Sequence, residues 1–140
     1  MATKSGKVIN LAMVGCGGMA GAHLSGYEEL WRKGEKRFRI VATVDEVEER
    51  AQAFANRIKQ NLGWEVATYK NIDQLLNHQA ELDGADICSP HGLHHVLACQ
   101  LMEGGVDVLV EKPIGITVKA SKKIIATAKK CKKVAATAEQ

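Results

Sequence analysis

The sequence has 140 residues, a length that suits one globular domain. Hydrophobic residues make up 46% of it and charged residues 25%, a balance that argues against disorder. Its apolar stretches are far shorter than the ~18 residues of a membrane span, and we expect no signal peptide. The four cysteines lie far apart without a Cys-x-x-Cys pair. We therefore expect free thiols, a reducing compartment and a cytoplasmic location.

Short apolar runs alternate with amphipathic segments along the chain. The apolar runs predict six strands, at Val8–Val14, Phe38–Val44, Val66–Tyr69, Ala85–Cys88, Asp107–Glu111 and Val134–Ala138. Apolar residues at helical spacing predict five helices, from Ala20 to about Gly34, Ala51–Leu62, Ile72–His78, His94–Glu103 and from the N-cap Thr117 to Cys131. Strands that are apolar on both faces and alternate with helices indicate an α/β fold. We predict a three-layered, doubly wound parallel sheet of Rossmann type, forming a single domain over residues 1–140 with a flexible tail at 1–6.

The net charge of +3 is unevenly distributed, since residues 1–111 carry −4 and residues 112–140 carry +7. Most of the late lysines lie between apolar or small residues at helical spacing. That predicted buried stripe consists of Val118, Ser121, Ile124, Ile125, Ala128 and Cys131. The pattern is typical of an outer helix with a lysine-covered solvent face. No arginine follows Arg57 and no aromatic residues interleave the lysines, so we do not expect nucleic-acid binding.

A glycine-rich turn, Val-Gly-Cys-Gly-Gly-Met-Ala-Gly, follows the first predicted strand. It matches G-x-G-x-x-[GA] on Gly15, Gly17 and Ala20. Glycine permits the tight turn at 15 and a close pyrophosphate approach at 17, and a small residue at 20 lets the helix pack on the strand. Gly18 and Met19 then open a helix whose free N–H groups attract phosphates. The turn predicts dinucleotide binding, with a glycine-rich turn that binds no ligand as the alternative.

Asp45 ends the second predicted strand, where an acidic side chain accepts hydrogen bonds from the adenine ribose. A 2′-phosphate at this position would meet Asp45 and Glu46, and like charges in a partly dry site repel. We therefore predict NAD as the cofactor and consider NADP less favoured, although Arg50 could reach a 2′-phosphate. Capping of the following helix is a second role for Asp45, compatible with the first.

Two more loops follow predicted strands, and ligands of parallel sheets bind beyond the C-terminal strand ends. Ser89-Pro90-His91 with His94 follows the fourth strand, and Glu111-Lys112-Pro113 follows the fifth. Together with the glycine-rich turn, these segments resemble the glucose–fructose oxidoreductase/inositol dehydrogenase (Gfo/Idh/MocA) family. The first loop resembles its Thr-Pro-Asn-x-x-His segment, and the second matches its Glu-Lys-Pro motif. The sequence departs from the family at Ala20, which replaces the third glycine, and at His91, which replaces the asparagine.

The resemblance implies NAD(P)-dependent oxidation or reduction at a carbinol carbon of sugars, inositols or related polyols. It implies that the cofactor-binding set includes Ser89, Pro90, His91, His94, Glu111 and Lys112. It also implies that Lys112 lies near the nicotinamide ribose and the substrate hydroxyl, as the catalytic residue, and that the Lys112–Pro113 bond is cis. A cation there would stabilise developing alkoxide charge. An exposed lysine paired with Glu111 is the alternative.

The three histidines at 91, 94 and 95 do not predict a metal site, because no cysteine or carboxylate lies at ligand spacing. We expect His23 to pack or hydrogen-bond within the first helix.

Relatives in the resembled family continue into a second α/β domain that carries the substrate pocket. We expect residues 134–140 to be a last strand leading toward such a domain. This chain is expected to bind the cofactor with little turnover by itself, and to meet a polyol or sugar only with a second domain. A stand-alone module that binds NAD without catalysis is the alternative. Neither a membrane nor a nucleic acid is an expected partner.

Overall fold

A computed structural model describes residues 6–139, so residues 1–5 of the expected tail and Gln140 lie outside the described residues. Within that range six strands form one sheet: β1 (Ile9–Val14), β2 (Phe38–Val44), β3 (Ala67–Tyr69), β4 (Gly84–Ile87), β5 (Asp107–Glu111) and β6 (Ala135–Ala138). The helices are α1 (Gly18–Arg32), α2 (Glu48–Leu62), α3 (Ile72–His78), α4 (His94–Glu103) and α5 (Val118–Cys131). All strand pairs are parallel, in the order β3-β2-β1-β4-β5-β6. The prediction of a doubly wound α/β Rossmann-type domain is confirmed.

Side chains of the central strand β1 alternate between two cores. Ala12 and Val14 belong to one core, which they share with Ile72, Leu101 and Ile124 of α3, α4 and α5. Met13 points to the other face, where Ala20, Leu24 and Ile58 of α1 and α2 cover it. Because successive strand residues face opposite sides, a strand between two helical layers must be apolar throughout. This explains both the three layers and the continuous apolar runs in the sequence.

The phase of α5 differs from the predicted stripe. Ala120, Ile124 and Thr127 are its buried residues, whereas Val118 and Ile125 are 72% and 49% exposed. The predicted stripe was too wide, because residues seven apart at 118 and 125 share one flank of the helix and that flank faces solvent. Two β-branched apolar side chains are therefore on the surface. The lysine-covered outer face is otherwise as predicted.

Thr117 caps α5 through its side chain, since Oγ1 accepts a hydrogen bond from the Ala120 N–H at 3.0 Å. We expect Thr117→Ala to lower the free energy of unfolding by about 1 kcal/mol, because the first turn loses its acceptor. Urea denaturation measures the change. Thr117→Ser keeps the oxygen and should stay close to the original stability, and an alanine variant as stable as the serine variant would contradict the prediction.

Glu28 joins α1 to α2 from a largely buried position. Its carboxylate accepts hydrogen bonds from Arg57 at 2.8 and 3.0 Å and from Asn61 at 2.8 Å. Burial alone would raise the pKa of the Glu28 carboxyl, but the bonds and charge of Arg57 and the bond from Asn61 outweigh it and lower that pKa. The ionised form is thus favoured by folding.

A carboxyl with a lowered pKa stabilises the fold above its unfolded-state pKa, near 4.5, and this stabilisation is lost as pH falls through the folded-state value. We expect acidification below pH 4.5 to weaken the original chain more steeply than Glu28→Gln. Urea unfolding at a series of pH values tests this. Glu29→Gln removes the neighbouring, more exposed carboxylate and serves as control. If the free energy of unfolding falls equally steeply with pH in Glu28→Gln and in the original chain, the Glu28 carboxylate does not stabilise the fold in this way.

The α1 side of β4 and β5 carries an open groove of about 410 Å³. Leu11, Tyr27, Asp86, Leu109 and Val134 are among its lining residues. Among the helices of residues 6–139, none has the length and apolar character of a transmembrane segment.

Candidate dinucleotide-binding site

The strand order places the candidate site. After β3 at one edge, the chain crosses to β4 on the other side of β1. The loops that follow β1 and β4 therefore run to opposite faces of the sheet and leave a crevice between them, where doubly wound folds bind ligands. The glycine-rich turn and the loops that begin at Cys88 and Lys112 all lie at this end of the sheet.

Backbone hydrogen bonds of Gly15 and its neighbour Val14 connect the glycine-rich turn to the ends of β2 and β4. The Gly15 N–H donates to the Val44 carbonyl at 2.8 Å, and the N–H of Cys88 donates to the Val14 carbonyl at 2.8 Å. Gly15 has φ of +86°, and a Cβ there would lie 2.8 Å from backbone atoms of Cys88 and Ser89. Only glycine combines that conformation with that close approach.

The start of α1 is open to a ligand. Gly17 is its N-cap and provides no side-chain acceptor. A Cβ on Gly17 or Gly18 would meet no atom within 4 Å among residues 6–139. Met19 is exposed, whereas Ala20 is fully buried against β1. The free N–H groups and the positive end of the helix dipole therefore meet open space, which fits a pyrophosphate.

Asp45 connects the end of β2 to the glycine-rich turn. One carboxylate oxygen accepts from the Cys16 N–H at 2.9 Å and the other from the Val47 N–H at 2.8 Å. Val47, rather than Asp45, is the N-cap of α2. A carboxylate accepts about four hydrogen bonds, so Asp45 keeps capacity for ribose hydroxyls. Burial, with the negative charge of Asp45 beside it, raises the pKa of the Cys16 thiol to about 12.

A second groove, of about 370 Å³, lies among the loops that follow β4 and β5. It is lined by Met19, Ser89, His91, Glu111, Lys112, Pro113 and Glu139. Residues from three separate predicted segments thus come together in one place. Pro90 is exposed beside them, at the start of the short 3-10 turn His91–Leu93. The cis Lys112–Pro113 bond implied by the resemblance is confirmed.

Lys112 and Glu111 point in different directions. Lys112 is exposed in the groove, whereas the Glu111 side chain is largely buried. The Glu111 carboxylate accepts from the backbone N–H of Lys112 at 2.6 Å and approaches His23 Nε2 at 3.4 Å. Within residues 6–139, no ion pair joins the Lys112 ammonium to Glu111, so the surface-pair alternative is not what the structure shows.

His94 lies beneath the groove instead of lining it. The side chain is fully buried, with Nδ1 2.8 Å from the Pro113 carbonyl and Nε2 3.0 Å from the Ser89 carbonyl. Each carbonyl belongs to a different loop of the groove. The ring therefore contacts both loops that form the groove, and the predicted polar contact of His94 with the cofactor stays a prediction.

The model of the oxidoreductase family with an NAD-binding Rossmann fold (Gfo/Idh/MocA) matches residues 9–139. The chain belongs to this family. The predicted resemblance and the nicotinamide dinucleotide as ligand are thereby confirmed. A search of curated proteins gives no match.

Solved structures share the fold of this Gfo/Idh/MocA domain. GenD2 from gentamicin A biosynthesis, in complex with NAD, is 23% identical over 98% of this chain and 36% of its own, with a TM-score of 0.78. The WlbA dehydrogenase from Bordetella pertussis, in complex with NADH and UDP-GlcNAcA, is 21% identical over 96% of this chain and 38% of its own, with a TM-score of 0.79. The myo-inositol 2-dehydrogenase from Lactobacillus plantarum is 20% identical over 94% of this chain and 36% of its own, with a TM-score of 0.74. The chain thus spans 36–38% of the length of these three proteins.

One polar cluster of this Gfo/Idh/MocA domain was missed by the sequence analysis. His23 does not bond within α1 as expected. Its Nδ1 lies 2.8 Å from Asp86 Oδ2, across the gap to β4. Tyr27 also donates to Asp86 Oδ2, at 2.8 Å. The available signal was an acidic residue inside the apolar run of the fourth strand, where burial demands partners.

The thiol of Cys88 completes this cluster. Its Sγ is 3.4 Å from His23 Nδ1 and 3.6 Å from Asp86 Oδ1. Burial and the negative charge of Asp86 raise the pKa values of the Cys88 thiol and the Tyr27 hydroxyl. Burial opposes protonation of His23, but its contacts with Asp86 and Glu111 outweigh that and raise its pKa.

Proposed function

We propose that this chain is the NAD-binding domain of a dehydrogenase that transfers a hydride between nicotinamide and a hydroxyl-bearing carbon of a sugar or inositol-like compound. The observation that carries the proposal is the convergence of the glycine-rich turn and the Lys112 loop at one end of the sheet. Membership of an NAD-binding oxidoreductase family supports the reaction type. The UDP-GlcNAcA and myo-inositol in the names of two structural neighbours support the substrate class.

The cofactor would lie across the crevice between β1 and β4. The pyrophosphate would rest on the N–H groups at Gly17 and the start of α1, and Asp45 would accept hydrogen bonds from the adenine ribose. The groove formed by Ser89, His91 and Glu111 would hold the nicotinamide half, with Pro90 at its rim. When bound, the nicotinamide supplies the hydride donor or acceptor.

Lys112 is the proposed catalytic residue. Its exposed side chain lines the same groove, so its ammonium can approach a substrate hydroxyl placed there. Positive charge at Nζ stabilises negative charge that develops on the substrate oxygen as its proton leaves.

We further propose that the substrate pocket belongs to a second domain that β6 and residues 134–140 lead toward. This chain matches only 36–38% of the length of the three structural neighbours. In this domain the Lys112 groove is open to water, whereas hydride transfer is favoured by a closed site. We therefore expect cofactor binding by residues 1–140 with little turnover. Cofactor binding without turnover by a protein that consists of this domain alone would favour the alternative of a stand-alone NAD-binding module.

Asp45 should determine both the affinity and the choice of dinucleotide. We expect saturable binding of NADH and weaker binding of NADPH, followed by fluorescence. Asp45→Ala should weaken NADH binding by about tenfold, because a hydrogen bond to a charged acceptor contributes more to the binding free energy than one to a neutral acceptor. The same variant should reduce the difference in affinity between NADH and NADPH.

Glu46→Ala is the matched control, since Glu46 is the exposed acidic neighbour of Asp45. It should leave NADH affinity nearly unchanged. Absence of a saturable signal with either nucleotide at millimolar concentration would overturn the proposed function. NADPH affinity tenfold above that for NADH would overturn only the choice of NAD.

A further inference from the structure

A partly buried group of three metal-ligand side chains lies beside the proposed cofactor groove, and one of them, His23, approaches Glu111 of that groove. The group consists of His23 on α1, Asp86 in β4 and Cys88 directly after β4. One ligand atom from each lies within 4.8 Å of the other two. The side chains of His23 and Asp86 are only 10% and 2% exposed.

We propose that His23, Asp86 and Cys88 bind a divalent transition-metal cation of the zinc type, which fastens α1 to β4. Imidazole nitrogen, carboxylate oxygen and thiolate sulfur are the ligand atoms that Zn²⁺ uses in proteins. The inference does not depend on the proposed dehydrogenase function.

Unbalanced negative charge is the first argument. Two carboxylates, of Asp86 and Glu111, face the single imidazole of His23. In the described part of the chain, the ion pairs of these two carboxylates are with His23 and not with lysine or arginine. Even a protonated imidazole neutralises only one of the two. A divalent cation would supply the positive charge that a buried pair of carboxylates lacks.

Competition for one nitrogen atom is the second argument. Asp86 Oδ2 and Cys88 Sγ both approach Nδ1 of His23, at 2.8 and 3.4 Å. A ring nitrogen forms one good hydrogen bond, here with Asp86, and the Cys88 thiol has only a long contact of 3.6 Å with Asp86 Oδ1 as its alternative. A cation between the three side chains would bond all of them at once.

The distances are close to those around tetrahedral zinc. Zn–N and Zn–O bonds near 2.0 Å and Zn–S bonds near 2.3 Å place neighbouring ligand atoms roughly 3.3–3.6 Å apart. The two distances of Cys88 Sγ, 3.4 Å to His23 Nδ1 and 3.6 Å to Asp86 Oδ1, are already in this range. The 2.8 Å contact of Nδ1 is with the other carboxylate oxygen, Oδ2, so the Asp86 carboxylate has to turn and move back from the imidazole to offer one oxygen to the metal.

The surroundings suit a bound cation. If Nδ1 binds the metal, Nε2 carries the ring N–H and faces Glu111 Oε1 at 3.4 Å. A carboxylate behind a ligand histidine fixes its tautomer and strengthens the bond to metal. Tyr27 holds Asp86 by a hydrogen bond, and both residues line the groove on the α1 side of the sheet, which gives an ion a path inward.

Cobalt absorption tests the site, because Co²⁺ occupies zinc sites and shows a thiolate charge-transfer band. We expect the chelator-treated full chain to bind about one equivalent of Co²⁺ with that band, and Zn²⁺ to displace it. Cys88→Ser should lose the band, and Cys131→Ser, which alters a half-buried thiol on α5, should keep it. Glu111→Gln should weaken binding by roughly 10–100-fold.

Absence of the thiolate band in the original chain, or an undiminished band in Cys88→Ser, would overturn the proposal. Circular dichroism establishes that each variant is folded. If Cys88→Ser does not fold, alkylation of the original chain decides instead. Zn²⁺ should then protect Cys88 while Cys131 still reacts, as mapped by mass spectrometry, and equal reaction of Cys88 with and without Zn²⁺ would refute the site. NADH titration of the same samples reports separately on the cofactor function.

Discussion

Gly15→Ala is expected to abolish NADH binding and to lower the free energy of unfolding by roughly 3–5 kcal/mol, a large share of the stability of a domain this size. The added Cβ would lie 2.8 Å from the backbone of Cys88 and Ser89, and backbone cannot rotate away as a side chain can. A φ of +86° adds strain for any residue with a Cβ. Because this turn contacts both β2 and β4, its displacement disturbs the centre of the sheet.

Two matched glycines separate the structural effect from the ligand effect. A Cβ on Gly17 or Gly18 meets open space among the described residues, so both alanine variants should keep the original stability. Gly17→Ala should nevertheless weaken NADH binding, because its Cβ enters the space where the pyrophosphate approaches. Urea unfolding and NADH fluorescence measure the two effects on each variant. A Gly15→Ala chain of undiminished stability would show that the turn is less tightly held than the structure indicates.

Asp86→Ala is expected to lower the free energy of unfolding by about 3–5 kcal/mol in the presence of chelator. Asp86 is the shared partner of His23 and Tyr27, and it is 2% exposed. Its removal leaves an imidazole and a phenol hydroxyl buried with fewer partners, and unpaired buried polar groups are strongly destabilising.

Asp73→Ala is the control for this prediction, because Asp73 is an exposed aspartate on α3. We expect a change of only about 0.5 kcal/mol there. The loss in the free energy of unfolding for Asp86→Asn should lie between those for Asp86→Ala and Asp73→Ala, since an amide oxygen can still accept the hydrogen bond from Tyr27. Similar stabilities for Asp86→Ala and Asp73→Ala would show that the cluster contributes little to folding.

Local sequence pattern determined most of the fold. β2, β5, α3 and α4 lie within the predicted bounds, because strands and helices buried between layers leave a clear apolar period. The phase of α5 was less clear. Its exposed Val118 and Ile125 are apolar as well, so apolarity alone could not distinguish the buried stripe from its flank.

The residues of the candidate site differ in the same way. The tight turn at Gly15 and Gly17 could be predicted, because such a turn requires particular residues at fixed local spacing. The inward direction of His94 could not be predicted, because its partners Ser89 and Pro113 belong to two loops that meet only in three dimensions. The same holds for His23 and Asp86, which come together through the parallel order of β1 and β4.

The central position of β1 also determines when its two edges can be paired during synthesis of the chain. β1 pairs with β2 early in the sequence, but its other edge pairs with β4, which is made only after α2, β3 and α3. A nascent chain that ends before Gly84 therefore exposes the edge of a strand that is apolar on both faces. Such edges pair readily with other chains. We therefore expect this edge of β1 to remain open to other chains until β4 pairs with it.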